Sequence, residues 1–156
     1  MMKKFTTILC TASMALCLTA CGGGKEKDIT VDTAKLANEL QAAVTSDTLS
    51  ETASDMLSSI YFFEDGVIEE GAAYASSGAT ACEIAVVKSK DAKDTANVEK
   101  LFQTRVDNQS SLYASYNEGE VKKLDEAIIK SAGSYTVLCV CDDPDKANDI
   151  LKDYGF

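Results

Sequence analysis

Val67-Ile68-Glu69-Glu70-Gly71-Ala72-Ala73-Tyr74-Ala75-Ser76, then Ser77-Gly78-Ala79-Thr80, then Ala81-Cys82-Glu83-Ile84-Ala85-Val86-Val87-Lys88 reads as two runs of strand length around a short loop. In the second run Cys82, Ile84, Val86 and Lys88 fall on one face, and Glu83, Ala85 and Val87 on the other. A loop of that length between two such runs predicts a hairpin. A second hairpin is expected from 127–131 and 134–141, turning at Ala132-Gly133. Helical spacing fills the rest. Asp32 caps a predicted helix over 33–44 with Leu36, Leu40, Ala43 and Val44 as its stripe, and Val31 is placed to staple onto Leu36. A shorter helix is expected over 52–61, ended by Glu64-Asp65-Gly66, the longest over 95–116, and a helical turn over 118–124. Asp142-Asp143-Pro144-Asp145 reads as a helix start, with Asp143 as cap and Pro144 in the first turn. The same acids lack the glycine and closing glutamate of a calcium loop. The expected order is α-α-β-β-α-β-β-α: an α+β domain with a four-stranded antiparallel sheet, built from two hairpins and packed on helices.

Upstream of this domain the chain changes character. Met1-Met2-Lys3-Lys4 is positive, and residues 5–19 carry no charge. That run is shorter than the ~20 apolar residues of a spanning helix and suits a secretory signal. It closes on Leu18-Thr19-Ala20-Cys21, which resembles the bacterial lipobox: an aliphatic residue, two small residues, and a cysteine whose thiol receives a diacylglyceryl group. The expected organisation is a lipoprotein signal peptide at 1–20, a lipidated tether at 21–31 and one domain at 32–156. Two acyl chains on Cys21 give stable anchoring at roughly 0.8 kcal/mol per buried CH₂. The expected location is the outer face of the cytoplasmic membrane, with the membrane itself as a partner through Cys21.

Composition narrows the chemistry. Without Lys3 and Lys4, 13 basic side chains face 25 acidic ones, a net charge of −12. Such a charge disfavours nucleic acid and anionic lipid heads. The chain has no histidine, which excludes histidine-ligated metals and Ser–His or Cys–His nucleophiles. No cofactor or metal is expected. Of six cysteines, Cys10 and Cys17 leave with the signal and Cys21 carries lipid, so Cys82, Cys139 and Cys141 remain. They serve as small buried hydrophobes, or Cys82 pairs with one of the other two, or they take a metal or redox role.

One polar pair stands out. With Val98 at 0° and ~100° per residue, Leu101, Phe102, Leu112 and Tyr116 form the expected core stripe of the long helix. Arg105, the single arginine of the chain, and Gln109 fall in its middle. An arginine there needs a partner. Either a carboxylate takes its head, or Arg105 and Gln109 line a cleft that captures an anionic or carboxylate-bearing ligand. No catalytic residue is expected, because the sequence carries no nucleophile elbow, Ser-x-x-Lys, phosphate loop or dinucleotide fingerprint.

Asp55-Met56-Leu57, the run Ser77 to Val86, Arg105 with Gln109, Tyr116-Asn117 and Gly133-Ser134-Tyr135 together resemble a family of small lipoproteins from Gram-positive anaerobic bacteria. The domain of that family is one of unknown function. The resemblance implies the envelope location and a single domain. It implies no activity and no site residue beyond the lipid-bearing Cys21. The expected function is therefore a membrane-anchored extracytoplasmic binding or interaction module, for an envelope protein or a cell-wall ligand. The alternative is a cell-envelope hydrolase working through carboxylates.

Overall fold

The computed structural model describes residues 29–156; the expected signal at 1–20, Cys21 and the expected tether as far as Asp28 lie outside the described residues. Helix α1 (Thr33–Leu40) starts where the Asp32 carboxylate accepts from the Lys35 amide at 2.9 Å. It stops earlier than its spacing predicts and passes into a 3₁₀ turn at Gln41–Ala43. The reason is tertiary. The Ala43 carbonyl accepts the amides of Asp142 and Asp143, so the chain is bent towards the far end of the sheet.

The main correction concerns the sheet, which has five strands, not four. Ser50–Thr52 (β1) pairs antiparallel with the edge of β2 (Ile68–Ala75), Ser50 opposite Ala75 and Thr52 opposite Ala73. The expected helix over 52–61 is thereby cut to a 3₁₀ turn at Ser54–Met56 and a short α2 (Leu57–Tyr61). Serine and threonine are weak helix formers, and pairing with β2 satisfies their backbone groups. The remaining elements follow the expected order: β3 (Glu83–Ser89), α3 (Thr95–Tyr113), α4 (Glu118–Asp125), β4 (Ile128–Ala132), β5 (Tyr135–Val140) and α5 (Pro144–Asp153). Both hairpins form, and β3 pairs with β5, giving the antiparallel order β1-β2-β3-β5-β4.

Helices cover both faces of the sheet. On one, Leu36 and Leu40 of α1 and Ala147 and Leu151 of α5 pack with Ile84, Val86, Val137 and Cys139, and Val31 joins them. On the other, Leu57, Tyr61, Val98 and Phe102 pack with Ala85, Val87, Leu138 and Val140. Strand β5 is therefore buried along its whole length. Gly71 permits the close approach of α2 to β2: a Cβ there would lie 2.9 Å from Val87 Cγ1 and 3.1 Å from Leu57 Cδ1.

The face that α3 buries also differs from expectation. Val98, Phe102, Val106 and Tyr113 are buried, whereas Leu112 is 54% and Tyr116 61% exposed. The buried arc is centred about 45° from the expected stripe. The apolar arc of α3 is wider than one contact with the sheet can cover. Arg105 and Gln109 consequently sit at the margin of the core, not in its middle.

Candidate functional site

Polar side chains gather at one end of the sheet. There the β2–β3 loop, the start of β3, the end of β5, the α1–β1 loop, the second half of α3 and α4 converge.

The β2–β3 loop is held firmly. Asp47 accepts from Ser76 Oγ at 2.6 Å and from Thr80 Oγ1 at 3.0 Å, and Ser76 Oγ in turn accepts the Gly78 and Thr80 amides. These bonds lower the Asp47 carboxyl pKa, the Ser76 hydroxyl contributing most. Tyr113 donates its hydroxyl to the Thr80 carbonyl, and the nearly buried Glu120 accepts the Ala81 amide at 2.8 Å. Burial pushes the Tyr113 phenol up to about 12. Gly78 takes a φ of +106°, which the turn reserves for glycine.

Against this loop lies the predicted pair. Arg105 Nε donates to Glu83 Oε2 at 3.1 Å and to Oε1 at 3.3 Å; the Glu83 side chain is only 5% exposed. Tyr61 donates its hydroxyl to Glu83 Oε1 at 2.7 Å, and burial raises that phenol well above its ordinary value, with Glu83 adding to the effect. A carboxylate thus takes the arginine, as one of the two sequence readings has it. Yet the two bonds run through Nε, and the terminal guanidinium nitrogens make no hydrogen bond to the described residues. Arg105 and Gln109 both line a cleft of about 50 Å³ together with Thr80, Cys82, Glu83 and Tyr113. Its size suits one functional group of a ligand, far below the ~300 Å³ or more of a small-molecule pocket. A wider hollow of about 290 Å³ beside α2 is bordered by Asp55, Glu69 and Glu70, which makes it unfit for an anion.

Sequence reading missed the neighbouring cluster. Lys123 Nζ lies 2.8 Å from Asp142 Oδ1, 3.0 Å from Glu120 Oε1 and 3.0 Å from Ser46 Oγ. Asp142 also accepts the Thr45 and Ser46 amides at 2.6 and 2.8 Å and the Ser46 hydroxyl at 2.8 Å. Lys123 and Glu120 are three residues apart on α4, but Thr45 and Ser46 lie 77 to 97 positions from Lys123 and Asp142, and no local pattern joins the two groups. Asp143, as expected, caps α5 by accepting the Lys146 amide. Asp142 beside it ties β5 to the α1–β1 loop.

A serine hydroxyl 3.0 Å from a lysine ammonium has the spacing of a nucleophile and its base. The electrostatics oppose that use. Burial would pull the Lys123 pKa down, but Asp142 and Glu120 outweigh it and hold the pKa well above the ordinary lysine value. A lysine kept protonated accepts no proton from serine. Burial would likewise raise Asp142, yet Lys123 and the two amides hold it well below the usual carboxylate range. The shifted carboxylates, Asp47, Asp91 and Asp142, all move down, away from the raised value a general acid needs.

Cys82, Cys139 and Cys141 are free and buried, and burial raises the Cys82 thiol despite Lys123 nearby. Among the described residues no group of three or more Cys, Asp or Glu side chains is arranged to hold a metal. Nor is any described helix long and apolar enough to cross a membrane.

No curated protein and no solved structure matches the chain. A family profile does match, over residues 42–141, from the turn after α1 to the last residue before Asp142. It takes in every strand, α2 to α4, and both Arg105 and Gln109, so the chain belongs to the family described as Domain of unknown function (DUF4358).

Proposed function

We propose that the protein is a binding module held outside the cell by a lipid on Cys21, with the Arg105–Gln109 cleft as its recognition point. The observation that carries the binding half is the set of donors in that cleft. Arg105 and Gln109 line it from α3, the outer guanidinium nitrogens and the glutamine amide have no partners among the described residues, and the facing β2–β3 loop is fixed by Asp47, Tyr113 and Glu120. Preorganised donors cost little to align when an acceptor arrives. The tether half rests on Leu18-Thr19-Ala20-Cys21 after a charged start and an uncharged run. An envelope hydrolase finds less support, since Lys123 is held protonated and the Asp47 and Asp142 carboxyls are lowered, away from the raised value of a general acid.

The test places a photo-crosslinking residue at Gln109, and for comparison at the exposed Lys152 of α5, in intact cells. Adducts with an envelope component from position 109 and none from 152 are expected. Equal labelling at both positions, or none at 109, would contradict the recognition role.

A further inference from the structure

We propose that the surface running from the half-buried Arg105 and Gln109 to the exposed Leu112 of α3 and Tyr116 of the following turn binds an extended peptide segment bearing an aliphatic side chain between basic residues. This rests on the binding-module reading and names its ligand class. Arg105, Gln109 and Leu112 fall within about 30° of one line along α3, at the edge of its buried arc, and the turn at 114–116 carries Tyr116 just past the helix end. Arg105 to Leu112 spans roughly 10 Å of helix, the length of about three residues of extended chain, and Tyr116 lengthens the surface beyond it.

The chemistry along that line is mixed in a particular order. The cleft end offers Arg105 and Gln109, donors for a main-chain carbonyl, and the glutamine amide also accepts from a main-chain N–H. Leu112 and Tyr116 follow, 54% and 61% exposed, and are two of the four large hydrophobic side chains that the described residues leave in water. The Tyr116 ring lies 5.1 Å from that of Tyr113, which lines the cleft, so apolar and polar ends are continuous.

Charge selects among ligands. Glu83 already neutralises Arg105, so the cleft has no surplus positive charge for a free carboxylate. Residues 29–156 carry 11 basic against 23 acidic side chains, so an acidic segment is repelled and a basic one attracted. An uncharged carbonyl in the cleft with lysine or arginine at either side fits both facts. Leu112 favours an aliphatic side chain over the hydroxyl-covered ring of a sugar.

The purified full chain is used to select a random heptapeptide phage library, in parallel with its Leu112→Ser and Gln109→Ala variants. Both side chains lie outside the core, so circular dichroism and melting temperature should match the parent. Enriched peptides are expected to place Leu, Ile or Val between Lys or Arg, and to bind Leu112→Ser about tenfold more weakly. Enrichment equal on the parent and Leu112→Ser, no enrichment, or enrichment of acidic sequences overturns the proposal. A tri-N-acetylchitotriose titration followed at the Gln109 side-chain amide by NMR separates the two levels. A shift there would assign the surface to glycan, overturning the peptide while leaving the binding module in place.

Discussion

Arg105 is anchored by a carboxylate that is itself buried, and this makes the ion pair matter in one direction. Removing the guanidinium leaves Glu83 in the core with only the Tyr61 hydroxyl. Arg105→Ala is therefore expected to cost about 2 kcal/mol, below the full value of a buried pair because Arg105 is partly open to water. Urea denaturation measures it, and adding Glu83→Gln should recover much of the loss; a double variant no better than the single would contradict the pairing. Asp142 supplies a pH signature. Folded, it holds its proton less tightly than unfolded, so its contribution is present at neutral pH and is lost as pH falls below about 4. Asp142→Asn should flatten the acid limb of melting temperature against pH. Lys123 is raised, and its contribution is whole below about pH 10 and lost only above it. At this scale the sequence shows that Arg105 needs a partner, because a lone arginine sits on an apolar arc. It does not show that the partner is Glu83, which only the packing of α3 on β3 brings within reach.

Among the elements, those with local signals were legible. Asp32 and Asp143 carry their caps in sequence, and Asp143→Ala should cost about 1 kcal/mol by thermal melting. The hairpins were legible because apolar runs of strand length flank loops containing Gly78 and Gly133. Strand β1 was not, since Ser50-Glu51-Thr52 has no apolar pattern and becomes a strand only because β2 offers an open edge. The rotation of α3 was also hidden. Its apolar and half-polar residues span well over 100° of arc, and sequence cannot choose which part meets the sheet. Two positions in α2 and its surroundings are strained or tight. Phe62 ends α2 with φ 61° while 71% exposed, so Phe62→Gly should stabilise by up to about 1 kcal/mol in the same assay. Gly71→Ala should instead destabilise, because Val87 and Leu57 leave no room for a methyl group.

The molecule as a whole is a sheet covered on both faces, with its least complementary surface at one end. Core and caps account for the fold, while the open donors and the exposed Leu112 and Tyr116 are left over by it. Left-over groups on a rigid support are where recognition is built. The acidic balance disfavours contact with anionic lipid heads, so under the proposed tether from Cys21 the domain would stand off the membrane. Mass spectrometry of the amino-terminal peptide from the membrane fraction bears on this directly. The expected peptide begins at Cys21 and carries a diacylglyceryl group, and globomycin shifts it to the longer form that keeps Met1–Ala20. A peptide that begins at Cys21 with a bare thiol, or full-length chain in the cytosol of untreated cells, would contradict it.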